Sequence, residues 1–138
     1  MSTALPAYVR RFCVDILRQY PLMKRQLLQL EEERLAIAES LPTAAWGEPR
    51  VKAVADPTAN RAFRLLRLEE AWSKTRFYVR AVEDLLAYLD EERRRLIELR
   101  YFDGFPIWRV AQELGIDEST FHRYHTAILT LLANRLGL

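Results

Sequence analysis

Residues 107–135, IWRVAQELGIDESTFHRYHTAILTLLANR, constrain the fold more tightly than any other stretch of the chain. Two helices crossing at a steep angle need a small residue where their backbones approach, a turn residue free to adopt unusual φ and ψ, and apolar residues at fixed offsets to fill the wedge. Ala111 supplies the first and Gly115 the second. Phe121 and Tyr124 return as inward residues on the second helix, and Val110, Leu114 and Ile116 complete the wedge. This is the packing grammar of a helix-turn-helix.

The second helix opens where its chemistry directs. Asp117 can accept hydrogen bonds from the free N–H groups of the following turn, and Glu118 sits against the positive end of the helix dipole. With Phe121, Tyr124, Ile128, Leu131 and Leu132 inward, the residues left facing outward are Ser119, Thr120, His122, Arg123, His125 and Thr126. These side chains are short or flat and rich in hydrogen-bond donors. A face of that kind suits the DNA major groove, where Arg binds guanine bidentately and Ser, Thr or His meets base edges and phosphates.

Charge pulls the other way. From Asp103 onward there are three basic residues (Arg109, Arg123, Arg135) against four acidic ones (Asp103, Glu113, Asp117, Glu118), a net of −1. Phosphate neutralisation supplies most non-specific affinity, so such a module alone binds weakly and needs help from the rest of the chain or a second copy. The positive charge gathers between Pro49 and Arg80, where eight basic residues face three acids, a net of +5. Arg61, Arg64 and Arg67 fall near one helical face there and could lie along a phosphate backbone or form a solvated surface.

The remaining pattern is helical throughout, with four glycines in 138 residues and no two-residue alternation, so the expected fold is all-α. Val9, Cys13, Ile16, Tyr20, Met23, Leu27, Leu30, Ile37 and Leu41 follow helical spacing, with Arg34 the polar exception. Pro21 either kinks this run or opens a new helix, and the expected division is one helix over 6–20 and another over 21–40. Residues 41–56 lack a helical period and read as a long loop containing Trp46. Asp56-Pro57 then signals a helix start. The stripe Leu65, Leu68, Trp72, Thr75, Val79, Val82, Leu86, Leu89 resembles a coiled-coil seam and offers an oligomer interface, centred on Leu65, Leu68, Trp72, Val79, Val82 and Leu86. Asp90 caps a further helix over 91–102, with Leu96, Ile97 and Tyr101 inward. The expected organisation is a helical, oligomerising part over 1–89 and a trihelical DNA-reading part over 90–138.

Other functions lack residues to carry them. No apolar run approaches the roughly 20 residues that span a bilayer, and the N-terminus does not have the pattern of a signal peptide. The lone Cys13 reads as core packing, which fits a reduced, cytoplasmic setting. His122 and His125 could share a metal, but no cysteines stand nearby and structural zinc takes four ligands, so neither metal nor cofactor is expected. A Gly-rich phosphate loop, a nucleophile elbow and an inward carboxylate pair are all missing from the sequence, so no enzyme is expected.

Residues 89–136, LDEERRRLIELRYFDGFPIWRVAQELGIDESTFHRYHTAILTLLANRL, resemble the C-terminal half of phage transcriptional regulators of the RinA/ArpU type and, more distantly, region 4 of bacterial sigma factors. The likeness extends upstream through Gln19-Tyr20-Pro21 and the Asp56-Pro57 helix start. It implies a phage or prophage activator of late genes that binds promoter DNA near RNA polymerase. Ser119, His122 and Arg123 fall where sigma-like recognition helices contact bases, and Thr120 and Thr126 where they approach phosphates. Arg109, Arg61, Arg64 and Arg67 complete the expected phosphate set. Two rivals share the motif: the small subunit of a phage terminase, in which the DNA module usually comes first, and a sigma-like adaptor that binds polymerase without its own DNA specificity.

Overall fold

A computed structural model describes residues 4–40 and 57–138, and every element in it is helical. Helix α1 spans Ala7–Ser40, α2 Pro57–Tyr88, α3 Glu91–Ile97, α4 Ile107–Leu114 and α5 Glu118–Arg135. A π-helical turn, Glu98–Phe102, extends α3. The protein is all-α and its C-terminal part is a helix-turn-helix built from α4 and α5. The expected loop over 41–56, Trp46 and the Asp56 cap lie outside the described residues.

Pro21 does not divide α1, contrary to the sequence expectation. An interior proline removes one helical hydrogen bond and costs roughly 3 kcal/mol. Here Ile16, Leu17, Tyr20 and Met23 are all buried around it, and the burial of four large side chains offsets that cost.

Packing separates two compact units, one of residues 1–22 with 78–138 and one of residues 23–77, so α1 and α2 each run through both. The dividing line falls inside these two helices rather than at the expected 89/90. All the buried hydrophobic residues among those described, Met23 excepted, belong to the first unit. There Val9, Cys13, Leu17 and Tyr20 of α1 join Val79, Val82 and Leu85 of α2, Leu96 and Ile97 of α3, and the inner faces of α4 and α5. Tyr20 donates a hydrogen bond to Glu83 Oε2 at 3.0 Å and packs its ring 5.3 Å from Phe102.

The second unit is an antiparallel hairpin of α1 and α2. Arg61 donates to the carbonyl of Ser40, and the Arg34 guanidinium lies 4.1 Å above the Trp72 ring. Arg34, out of pattern in the sequence, is therefore an inward cation resting on an aromatic face. Leu65, Leu68 and Trp72 are only half-buried here.

The coiled-coil seam is corrected by this arrangement. Val79 and Val82 are 2% and 0% exposed within the chain itself, so neither is available to a second chain. The stripe spans both units, and its lower half lines the intrachain core. A long helix with a wide apolar face meets its own neighbours first.

Candidate nucleic-acid interface

The chain reverses between α2 and α3 at a cap built from side chains. Asp90 adopts extended backbone geometry and its Oδ1 accepts from the Arg93 N–H at 2.9 Å. Arg94 reaches back to donate to the carbonyl of Leu86 in the last turn of α2, where helical carbonyls lack partners, and to that of Leu89 just beyond the helix. The π turn then closes with Asp103 N–H on the Glu98 carbonyl at 2.8 Å and Phe105 N–H on the Leu99 carbonyl at 2.9 Å. Sequence periodicity predicts an ordinary helix to Phe102; the extra residue in this turn is a tertiary adjustment, with Tyr101 and Phe102 both engaged by other elements.

The turn between α4 and α5 follows the expected chemistry. Gly115 is left-handed at φ 67°, ψ 33°, its N–H bonds to the Gln112 carbonyl, and the Ile116 N–H reaches the Ala111 carbonyl at 3.0 Å. That pair of bonds is a Schellman closure. Ala111 is buried at the contact between the two helices. Asp117 then caps α5: its Oδ1 accepts from the Thr120 N–H at 2.7 Å and from the Ser119 hydroxyl at 2.9 Å. The Thr120 and Ser119 hydrogen bonds hold its carboxyl down at about 2. It is therefore ionised at neutral pH, at the positive end of the helix.

Helix α5 buries Phe121, His125, Ile128, Leu129 and Leu132. His125 is the correction here, since the sequence pattern predicts it outward. It is 7% exposed, its ring stacks 5.5 Å from Phe121 and 5.8 Å from Tyr101, and the Tyr101 hydroxyl hydrogen-bonds its Nε2. Burial first, then the charges of Arg10, His122 and Arg100, push its pKa down to about 4. The imidazole is a neutral aromatic core residue at physiological pH, whereas His122 is exposed. Tyr124, expected inward, is half-buried beneath the Arg93 guanidinium at 4.1 Å.

With that rotation, Ser119, His122, Arg123 and Thr126 share one exposed face of α5, two helical turns long. Arg123 Nη2 lies 3.4 Å from the Thr120 hydroxyl, and His122 sits edge-on to Phe121. Thr120 is half-buried and its N–H is committed to the cap, leaving it the least accessible of the expected contacts. Arg109 is exposed on α4 with its guanidinium 3.9 Å over the Phe105 ring. Arg61, Arg64 and Arg67 are exposed on α2 but belong to the hairpin unit, not to the unit that holds α5.

One contributor was not legible from sequence. Arg10 of α1 donates to the Thr126 hydroxyl at 3.4 Å across 116 positions of the chain. The unit containing the helix-turn-helix thereby gains Arg10, Arg11 and Arg18 against Asp15, and its eleven basic and eleven acidic residues leave it neutral rather than negative. No local pattern in α1 announces this role, because its arginines look like any solvated helix face.

No curated protein and no solved structure matches the chain. The family model for sigma-70, region 4 does match, over residues 79–132. The matched stretch begins one residue after Tyr78, where α2 rejoins the first unit, and runs through the buried core of α5. The last turns of α2 with α3, α4 and α5 form a sigma region 4-like helix-turn-helix, which supports a DNA-binding, regulatory role.

Proposed function

We propose that the protein is a phage or prophage transcriptional regulator of the RinA/ArpU kind, binding promoter DNA through α5 and activating late genes together with bacterial RNA polymerase. The observation that carries this reading is the exposed row Ser119, His122, Arg123 and Thr126 on the second helix of a region 4-like module. Ser119, His122 and Arg123 read bases. Thr126, Thr120 and Arg109 approach phosphates, with further phosphate contacts from Arg61, Arg64 and Arg67 on the hairpin. Residues 1–89 contribute self-association, and the protein works in the bacterial cytoplasm.

Arg123 is the one basic residue on the exposed face of α5 toward its N-terminal half, and a bidentate base contact is worth about 1–3 kcal/mol. Arg123→Ala is expected to lower affinity for the cognate promoter roughly ten- to a hundredfold with the melting temperature unchanged. Chromatin mapping of the tagged protein in an induced lysogen supplies the promoter, and mobility-shift titration measures the loss. Unchanged affinity would place base recognition elsewhere. The neutrality of the DNA-reading unit favours the sigma-like adaptor as second reading; it predicts co-purification with polymerase and no binding to any mapped duplex.

A further inference from the structure

Around the inner edge of the α5 face the structure collects cations from elements remote in sequence. Arg10 of α1 touches Thr126, the last residue of the exposed row. The Arg18 guanidinium, two turns further along α1, lies 6.0 Å from the centre of the Tyr101 ring, and that of Arg100 lies 5.9 Å from the same centre. Tyr101 is in turn bonded to His125, directly behind the row. Among the described residues no carboxylate forms an ion pair with any of these three arginines. Arg100 spends one nitrogen on the Phe105 carbonyl. The unit is neutral overall, and three of its eleven basic residues gather here.

Spacing says what such a cluster fits. Thr126 stands seven residues beyond Ser119, about 10 Å along α5, and the major groove is roughly 12 Å wide. A helix end held against Thr126 thus lies at the groove's edge when Ser119, His122 and Arg123 face its floor, and the edge is lined with phosphates. Guanidinium groups without carboxylate partners suit that position, since they can bind phosphate oxygens in a forked geometry.

We infer that the N-terminal half of α1 is a phosphate clamp for the DNA read by α5, with Arg10 and Arg18 as its contacts and Arg100 reinforcing the local field. Both clamp residues lie outside the stretch matched by the region 4 model. The clamp supplies the backbone affinity that the helix-turn-helix lacks. It rests on the reading of α5 as the DNA-contacting helix.

The test uses the full chain and a random-sequence DNA duplex, titrated across a range of salt concentrations. The double variant Arg10→Gln/Arg18→Gln is expected to weaken binding and to flatten the slope of log K against log salt by up to about 0.9 for each phosphate no longer neutralised. The same variant should weaken cognate and random DNA alike. Arg10→Lys/Arg18→Lys keeps both charges and is expected to keep the slope, whether or not the Gln variant folds normally by circular dichroism. A wild-type slope in a folded Gln variant, or a flattened slope in the Lys variant, overturns the clamp. If in that case Arg123→Ala still lowers affinity for the cognate promoter, the function of α5 stands and only the clamp fails. Absence of any duplex binding by the wild-type protein would overturn both.

Discussion

At the scale of single residues, His125 shows how far polarity misleads as a guide to burial. Sorting α5 by residue type puts a histidine outside; stacking between Phe121 and Tyr101 and a hydrogen bond between its Nε2 and the Tyr101 hydroxyl put it inside. Its Nδ1 has no partner among the described residues, so the ring is held by its aromatic faces and one nitrogen. The consequence is a defined acid sensitivity. Because the folded pKa is depressed to about 4, the unfolded chain takes up the proton more readily, and stability is full above about 6.5 and declines as pH falls toward 4. The shift corresponds to about 3 kcal/mol in total, most of it lost by pH 5. His125→Phe keeps the stacking and removes the proton site. Its melting temperature is expected to vary less than that of the wild type between neutral pH and about pH 4. An equally steep decline in the variant would assign the acid sensitivity to other groups.

At the scale of elements, the turn and caps of the helix-turn-helix were legible because each depends on one or two adjacent residues. Gly115 is the sharpest case. A Cβ built there meets nothing within 4 Å, so space does not exclude a side chain; the backbone at φ 67° does. Gly115→Val therefore places a β-branched residue in the left-handed region, at a cost of about 1–2 kcal/mol or more. Thermal unfolding followed by circular dichroism should show a melting temperature lower by several degrees, while Gly115→Asn, which tolerates this region, should lose less. Equal losses in both variants would mean that the residue is kept for another reason. Pro21 and the π turn went unread because neither follows from local preference. The proline is held in helix by buried neighbours on both sides, and the widened turn by Tyr101 and Phe102 fitting against other helices.

At the scale of the whole molecule, the hairpin unit leaves apolar surface that its own two helices cannot cover. Leu28 and Leu35 on α1, and Phe63, Leu66 and Phe77 on α2, are each at least half exposed. Each of these except Phe77 follows an inward-facing residue by one position, and Phe77 continues the Phe63 row at heptad spacing. In an antiparallel pair, rows displaced in that sense on both helices emerge on one common face. Arg61 and Arg64 precede inward residues and emerge on the opposite face. Five half-exposed large side chains leave on the order of 500 Å² per protomer, so a pair of copies reaches about the 1,000 Å² of a specific interface. Two hairpins joined in this way make a four-helix bundle. The protein is expected to run as a dimer or higher even oligomer in light scattering at tens of micromolar, and Phe63→Lys/Leu66→Lys to run as a folded monomer. A monomeric wild-type protein would remove self-association, and with it the avidity available to a neutral reading head.

Helical class, the small contact at Ala111, the left-handed glycine at Gly115 and the Asp117 cap were all determined by the sequence itself, since each expresses a preference acting over a few neighbouring bonds. The register of the α5 face, the covering of Val79 and Val82, and the arrival of Arg10 at Thr126 were decided only by tertiary structure. Each of these depends on which surfaces meet across long stretches of chain, and an amphipathic helix does not record whether its partner belongs to the same molecule, a second copy or DNA.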